Sequence, residues 1–384
     1  MDNFIESSPF FTVEQRTLAA SVSGFVEREI ERRTAEEEQD IDGHFRAYLG
    51  VLADSGLLRY AVAYPAMKLD VRSLCVVREA LAYSSSLADL AFVMQGLGTF
   101  AISLAAPEHV RDFWLSRALS GKSIAAFALT EPEAGSDVAS IATTGHLDGD
   151  TYIINGRKRY ISNAGLADFY TVFVRTGTRE DGGAQISAFV VGAKMPGFVL
   201  RERTVMLSPH PIGEIEFREL HVPAQNMVGA EGDGFHLAMK TLDTFRASVG
   251  AAACGMARRA LDEAIAYAKT RKQFKQTLSN HQIIREKLAD MSTELDAARL
   301  MVYHAAYLKD TSSEPATREA SEAKVYATEA ACRIVDQALQ IHGGAGLVRG
   351  AVVERLYRDI RALRIYEGTS EIQKLIIASH LLKS

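Results

Sequence analysis

The chain has 384 residues, with 43 Lys plus Arg against 48 Asp plus Glu and a formal net charge of -5. That balance argues against general binding to a phosphate backbone. With 47% apolar and 24% charged residues, it is composed like a soluble globular protein long enough to bury a large core. At about 150 residues per domain, two or three domains are expected.

The three cysteines, Cys75, Cys254 and Cys332, are far apart and form no C-x-x-C pair. They read as small core residues rather than a disulfide framework or zinc site, and no metal is expected. Residues 1–6 are acidic and lack an Arg-rich or apolar targeting segment. No run of about 18 consecutive apolar residues occurs, so no membrane span is expected. The default expectation is a cytoplasmic protein.

The first third predicts helices. Leu18, Val22, Phe25, Val26 and Ile30 carry helical spacing through residues 13–34, and a charged stretch over 27–42 reads as a solvated face. Further helices are predicted over 44–55, 73–84, 87–105 and 108–120. The apolar character of 87–105 marks a buried helix.

The texture changes near Lys122. Short β-branched or aromatic runs follow over 123–129, 151–154, 159–162, 169–174, 186–191 and 214–222, separated by Gly, Asn and Asp. The last alternates with period two, as a strand with one wet face does. A β domain closed as a barrel or sandwich is predicted. After Gly234 the pattern returns to helix over 235–269, 282–309, 316–340, 352–362 and 370–382, which reads as an antiparallel bundle. The predicted organisation is an N-terminal helical domain (1–122), a central β domain (123–232) and a C-terminal helical bundle (233–384).

Four segments carry chemistry. Ala128-Leu-Thr-Glu-Pro-Glu-Ala-Gly-Ser-Asp137 leaves an apolar strand. Pro132 and Gly135 force a turn, and Thr130 and Ser136 offer hydroxyls to a polar ligand. Alone, it reads equally as an ordinary strand-exit loop. Arg271-Lys-Gln-Phe274 is followed by His281-Gln282, which opens the next helix. An Arg at a helix end suits a phosphate, but a surface Arg beside a buried Phe has the same pattern. Gln340-Ile-His-Gly-Gly-Ala-Gly346 places three glycines after a helix, permitting positive φ and close approach of a ligand, or simply a helix-ending turn. In Arg364-Ile-Tyr-Glu-Gly-Thr-Ser-Glu-Ile-Gln373, Thr369 fits an N-cap. Glu367, before Gly368 and among apolar residues, is placed to lose solvation and have its pKa raised. It reads otherwise as part of a surface cap.

In this order and spacing the four segments resemble the acyl-CoA dehydrogenase family of flavoproteins, over nearly the whole chain. Residues 128–140 fit the family's first signature throughout. Residues 340–359 fit the second except at Gly350, where an acidic residue or Asn is usual. The resemblance implies the three-domain fold predicted above, with FAD at the junction of β domain and bundle. It implies that residues 127–136, with Phe127, Leu129, Thr130 and Ser136, and then Tyr160, Ile161 and Ser162, wall and hydrogen-bond the flavin. Arg271, Phe274, His281, Gln282, Gln340, Gly343 and Gly344 would hold pyrophosphate and adenosine, partly from a neighbouring subunit. Thr369 and Glu371 would lie beside the flavin. The resemblance also implies a homotetramer, a dimer of dimers.

The implied reaction is α,β-dehydrogenation of an acyl-CoA thioester, with electrons passed to an electron-transfer flavoprotein. Glu367 takes the position of the base that removes the α proton. Its backbone N–H and the flavin ribityl chain would hydrogen-bond the thioester carbonyl, an oxyanion-hole device. Some relatives place the base just before an Arg, in the segment that here reads Asp243-Thr-Phe-Arg246. Phe245 holds that place and cannot accept a proton. Ser136, Asp243, Phe245, Arg246 and Gly368 match substrate-contacting positions, Arg246 near the CoA moiety.

The chain departs from the family pattern around Tyr64 to Asp70, at Lys275 where Gly is common, and in Leu207-Ser-Pro-His-Pro-Ile-Gly213. Bulky Phe245, with Phe92, Met94 and Leu97, points to short, branched or alicyclic acyl groups. Competing expectations are an oxygen-using acyl oxidase, a dehydrogenase of carrier-protein thioesters, and a nucleic-acid-binding member of the same fold. The net charge and Glu367 weigh against the last.

Overall fold

In a computed structural model, residues 3–383 are described; Met1 and Asp2, on which part of the targeting reading rests, lie outside them. The chain divides into two compact units, each assembled from separated stretches of sequence.

The first unit comprises Met1–Glu38, Asp70–Asp89 and Thr244–Ser384. Its helices start where the sequence supplies caps. Thr12 and Gln15 form a reciprocal capping box at the head of Val13–Phe25, and the Asp70 carboxylate accepts from Ser73 N at 2.6 Å ahead of Val71–Ser84. Each cap satisfies a backbone donor that the helix itself leaves free. The helix predicted over 13–34 is broken: after Phe25 a π turn, Val26–Ile30, and a 3-10 turn, Glu31–Glu36, follow. The bundle is Gln282–Thr311, Thr317–His342, Val352–Ile360 and Ser370–Lys383, with the later part of Gly234–Thr270. Thr317–His342 buries Ala320, Ala323, Ala327, Ala330 and Ile334 on one face, the spacing of a helical stripe. Small residues let backbones approach: a Cβ added at Gly255 would lie 2.1 Å from Glu79 O.

The second unit comprises Gln39–Leu69 and Leu90–Asp243. Its sheet has eight strands: β1 (Ala125–Ala128), β2 (Thr144–Asp148), β3 (Thr151–Ser162), β4 (Phe169–Thr178), β5 (Ala184–Gly192), β6 (Phe198–Arg203), β7 (Ile212–Pro223) and β8 (Met227–Val228). The order is β6-β7-β3-β2-β4-β5-β8, with β1 parallel to β4. One bridge, Thr144 to Arg175, joins the β2 and β4 halves. Two predicted strands, 151–154 and 159–162, are one strand with register shifts, and β2 and β6 were not predicted.

The helix Ser86–Ala105 is long and apolar enough to cross a membrane by length and composition, but 89% of that window is buried inside the protein. It is the buried helix expected. Buried Gln95 sends Nε2 to Ala118 O and Ser123 O, at 3.0 and 2.8 Å, and accepts from Ala125 N at 2.8 Å. Thr171 Oγ1 donates to Gly98 O at 2.7 Å. These bonds tie β1 and β4 to the helix and fix the strand from which residues 127–136 emerge. Cys75 and Cys254 are buried and Cys332 partly so, all with free thiols.

Candidate functional site

In the first unit the site is built around the loop before the last helix. Glu367 has φ 54° and Gly368 φ 89°, a left-handed pair that turns the chain sharply into Ser370–Lys383. Ile372 N reaches Thr369 Oγ1 at 3.3 Å, so Thr369 caps that helix as predicted. Buried Lys324 donates to Gly368 O at 2.6 Å. Gln373 Nε2 donates to Gly368 O at 3.0 Å and Glu367 O at 3.2 Å. Glu329 Oε1 accepts from Arg364 Nε at 2.8 Å and Ser370 Oγ at 2.7 Å, clamping both flanks of the loop.

Burial pushes the Glu367 carboxyl above its ordinary range, against the charges of Arg78, Lys324 and Arg246. Its Oε2 is shut from solvent and has no hydrogen-bond partner among the described residues. Buried acceptors are nearly always paired, so an orphan in a strained loop is a mark of a group awaiting a ligand. Arg78 is itself neutralised by a two-pronged bond to Asp89, at 2.8 and 2.7 Å, and donates to Ser248 Oγ at 2.9 Å. Burial pulls Lys324 down to about 8, partly offset by Glu367. Phe245 is fully buried and Arg246 nearly so; Asp243, the last residue of the second unit, is partly buried.

A second group in this unit lies at helix ends. Tyr267 stacks on His342 with ring centroids 4.3 Å apart. This brings the end of Gly234–Thr270 beside the end of Thr317–His342, with Arg271 and Gly343 the next residues after each. An added Cβ at Gly343 or Gly344 meets nothing within 4 Å. Gln340, Arg271 and Gln282 are exposed. Phe274 is 88% exposed, and its ring lies 6.0 Å from that of His281, the N-cap residue of Gln282–Thr311. Open glycine backbone, an exposed cation and an exposed aromatic fit a phosphate-linked nucleotide such as the ADP end of FAD.

In the second unit the predicted flavin wall is held from behind. Phe127 is half-buried on β1, Leu129 and Ile161 are buried, Thr130 and Ser162 intermediate, Ser136 exposed. Tyr160 is 51% exposed at φ 53°. Buried Lys158 donates to Leu129 O at 3.0 Å and Glu131 Oε1 at 2.7 Å. Glu131 also accepts from Ala142 N at 2.6 Å and Thr143 N at 3.0 Å. Burial works to raise its carboxyl, but Lys158 and these donors hold it below its usual range. Ser162 Oγ lies 2.8 Å from His210 Nε2. The exposed Tyr160 and Ser136 leave polar groups on this wall for a flavin.

The sequence reading missed Lys324, Glu329, Gln373, Lys158 and His210. A signal existed for Lys324: it sits within the Ala320, Ala323, Ala327 stripe, a charge on an apolar face.

Family models for the acyl-CoA dehydrogenase N-terminal, middle and C-terminal domains match residues 12–122, 126–220 and 232–382. The chain belongs to the acyl-CoA dehydrogenase family, FAD-dependent oxidoreductases acting on CH–CH bonds. A 3-(aryl)acrylate reductase of Clostridium sporogenes is 39% identical over 381 residues, covering 97% of this chain and 100% of the relative. A caffeyl-CoA reductase–Etf complex subunit of Acetobacterium woodii is 43% identical over 282 residues, covering 73% and 74%. A solved acyl-CoA dehydrogenase complexed with FAD from Bacillus anthracis is 30% identical with a TM-score of 0.88, covering 97% of this chain and 67% of that one.

Proposed function

We propose that this enzyme interconverts a short, branched or alicyclic acyl-CoA and its 2-enoyl thioester, with Glu367 as the base for the α proton. The observation that carries this is the solvent-shielded, unpartnered Oε2 of Glu367 on a left-handed loop. A thioester α C–H beside it would supply the missing partner. The same burial makes the carboxylate a stronger base than it would be in water.

Lys324 and Gln373 hold the carbonyls of this loop inward, leaving the Glu367 N–H to donate to the thioester carbonyl and favour the enolate. Fully buried Phe245 limits room for the acyl group. Bound FAD supplies the hydride acceptor for the β carbon. Residues 127–136 and 160–162 would face its ring, and Arg271, Gly343 and Gly344 its phosphates. We read the enzyme as a homotetramer in which Arg271 is shared between subunits, and light scattering measures that state. In the second unit a cavity of about 580 Å³ is lined by Arg175, Arg179, Ser140 and Phe235. Arg179 is paired with Asp181 at 2.9 Å, which leaves Arg175 and the ring of Phe235 as the groups that would meet the nucleotide of CoA.

Glu367→Gln keeps the shape but cannot take the proton. It should bind FAD and acyl-CoA normally, while stopped-flow flavin reduction slows by about 10²-fold or more. Reduction near the wild-type rate would remove Glu367 from the mechanism. Both reductase relatives favour a second reading, the same site run toward the saturated product, and the Etf complex named for one of them favours an electron-transfer flavoprotein as donor. A thioester panel assayed in both directions separates the two.

A further inference from the structure

His210 stands between Pro209 and Pro211, in the loop that departs from the family pattern. Each proline ring fixes its own φ, and Pro211 pushes His210 toward extended backbone. The loop is tied at both ends: Thr204 N donates to Ile212 O at 2.9 Å, and Asn163 N to Pro211 O at 2.6 Å. Across β3 and β7, Ser162 pairs with Ile212, which sets the imidazole against the serine. The 2.8 Å contact between His210 Nε2 and Ser162 Oγ is therefore made by pre-organised partners. Burial pushes the imidazole down to about 4. At neutral pH it is uncharged, with one nitrogen that donates and one that accepts.

We propose that His210 is a positioning residue: it sets the direction in which Ser162 presents its hydroxyl to FAD, and so biases the cofactor between its oxidised and reduced forms. This rests on the reading above that Ser162 faces the flavin. If Nε2 accepts, the serine proton is turned toward His210 and Oγ shows lone pairs to the ligand. If Nε2 carries hydrogen, Oγ accepts it and the serine proton turns outward. Reducing a flavin ring adds hydrogen to a ring nitrogen that was an acceptor. A hydroxyl fixed in either direction therefore matches one redox form better than the other.

The test is the midpoint potential of bound FAD, by equilibrium dye titration, in wild type, His210→Phe, His210→Gln and Ser162→Ala. His210→Phe should change the oxidised-to-reduced equilibrium about tenfold, which is about 30 mV for a two-electron couple. The sign reports which tautomer the wild type holds. His210→Gln, whose amide both donates and accepts, should return most of the shift. In a Ser162→Ala background His210→Phe should add nothing. An unchanged potential in FAD-loaded His210→Phe, or an equal shift without Ser162, overturns the proposal. If the Phe variant does not fold, His210→Asn, too short to reach Oγ, takes its place against His210→Gln. A wild type that binds no FAD overturns the functional reading and this inference together.

Discussion

Glu367 gives up solvation and also sits in a backbone region that costs an L-residue about 1–2 kcal/mol. Something must hold it there, and the residue best placed is Lys324. Its ammonium is buried, bonded to Gly368 O at 2.6 Å, and pulled down to about 8. Such a bond to a charged donor contributes about 1.5–3 kcal/mol. Lys324→Met should lower the rate of flavin reduction by about ten- to a hundredfold with FAD retained. Lys324→Arg, which keeps charge and donors, should recover part of it. The arginine variant reducing flavin no faster than Lys324→Met would mean that Lys324 fills space rather than aligns the loop. Glu367 was legible because its neighbours form a contiguous motif. Lys324 was not, because its partner lies 44 residues further along the chain.

The connection between Gly234–Thr270 and Gln282–Thr311 shows why a family preference for Gly at position 275 has a physical basis. Gln276 and Thr277 pair with Gln273 and Lys272, leaving a two-residue turn of Phe274 and Lys275. Both have positive φ, 51° and 69°, as a type I′ hairpin turn demands, and Asn-Gly suits that turn best. Lys275→Gly should therefore stabilise the FAD-loaded enzyme by about 0.5–1 kcal/mol, measured by urea unfolding; a loss of stability would show that the lysine side chain has a role of its own. The helices were legible in the sequence because their apolar stripes are long. The strands β2 and β6 were not: β2 contains Gly145 and β6 has four consecutive exposed residues, so neither shows alternating burial. The break after Phe25 was also hidden, since the apolar spacing continues through Val26 and Ile30.

Across the whole molecule, the three-domain order was readable from changes of texture, whereas compactness follows a different division. The second unit is finished once Asp243 has been made, but the first draws on Met1–Glu38, Asp70–Asp89 and everything from Thr244 on. The buried carboxylate of Glu79 makes this concrete. Tyr303 donates to it at 2.7 Å and Arg299 lies 2.9 Å away, and Tyr303 is 224 residues later in the chain. At about 5–20 residues per second, a ribosome needs on the order of 10–45 s to deliver that partner. Until Arg258, Arg299 and Tyr303 are made, the helix Val71–Ser84 carries an acid without these partners and an uncovered apolar face. Nascent chains stalled near residue 275 should show protease resistance in the second unit and ready cleavage within residues 1–38 and 70–89. Equal protection of both would mean that the early helices find temporary cover. On this arrangement Glu367 is made after Arg78, Arg246 and Lys324, the charges that surround it, and enters a scaffold whose charged partners precede it in the chain.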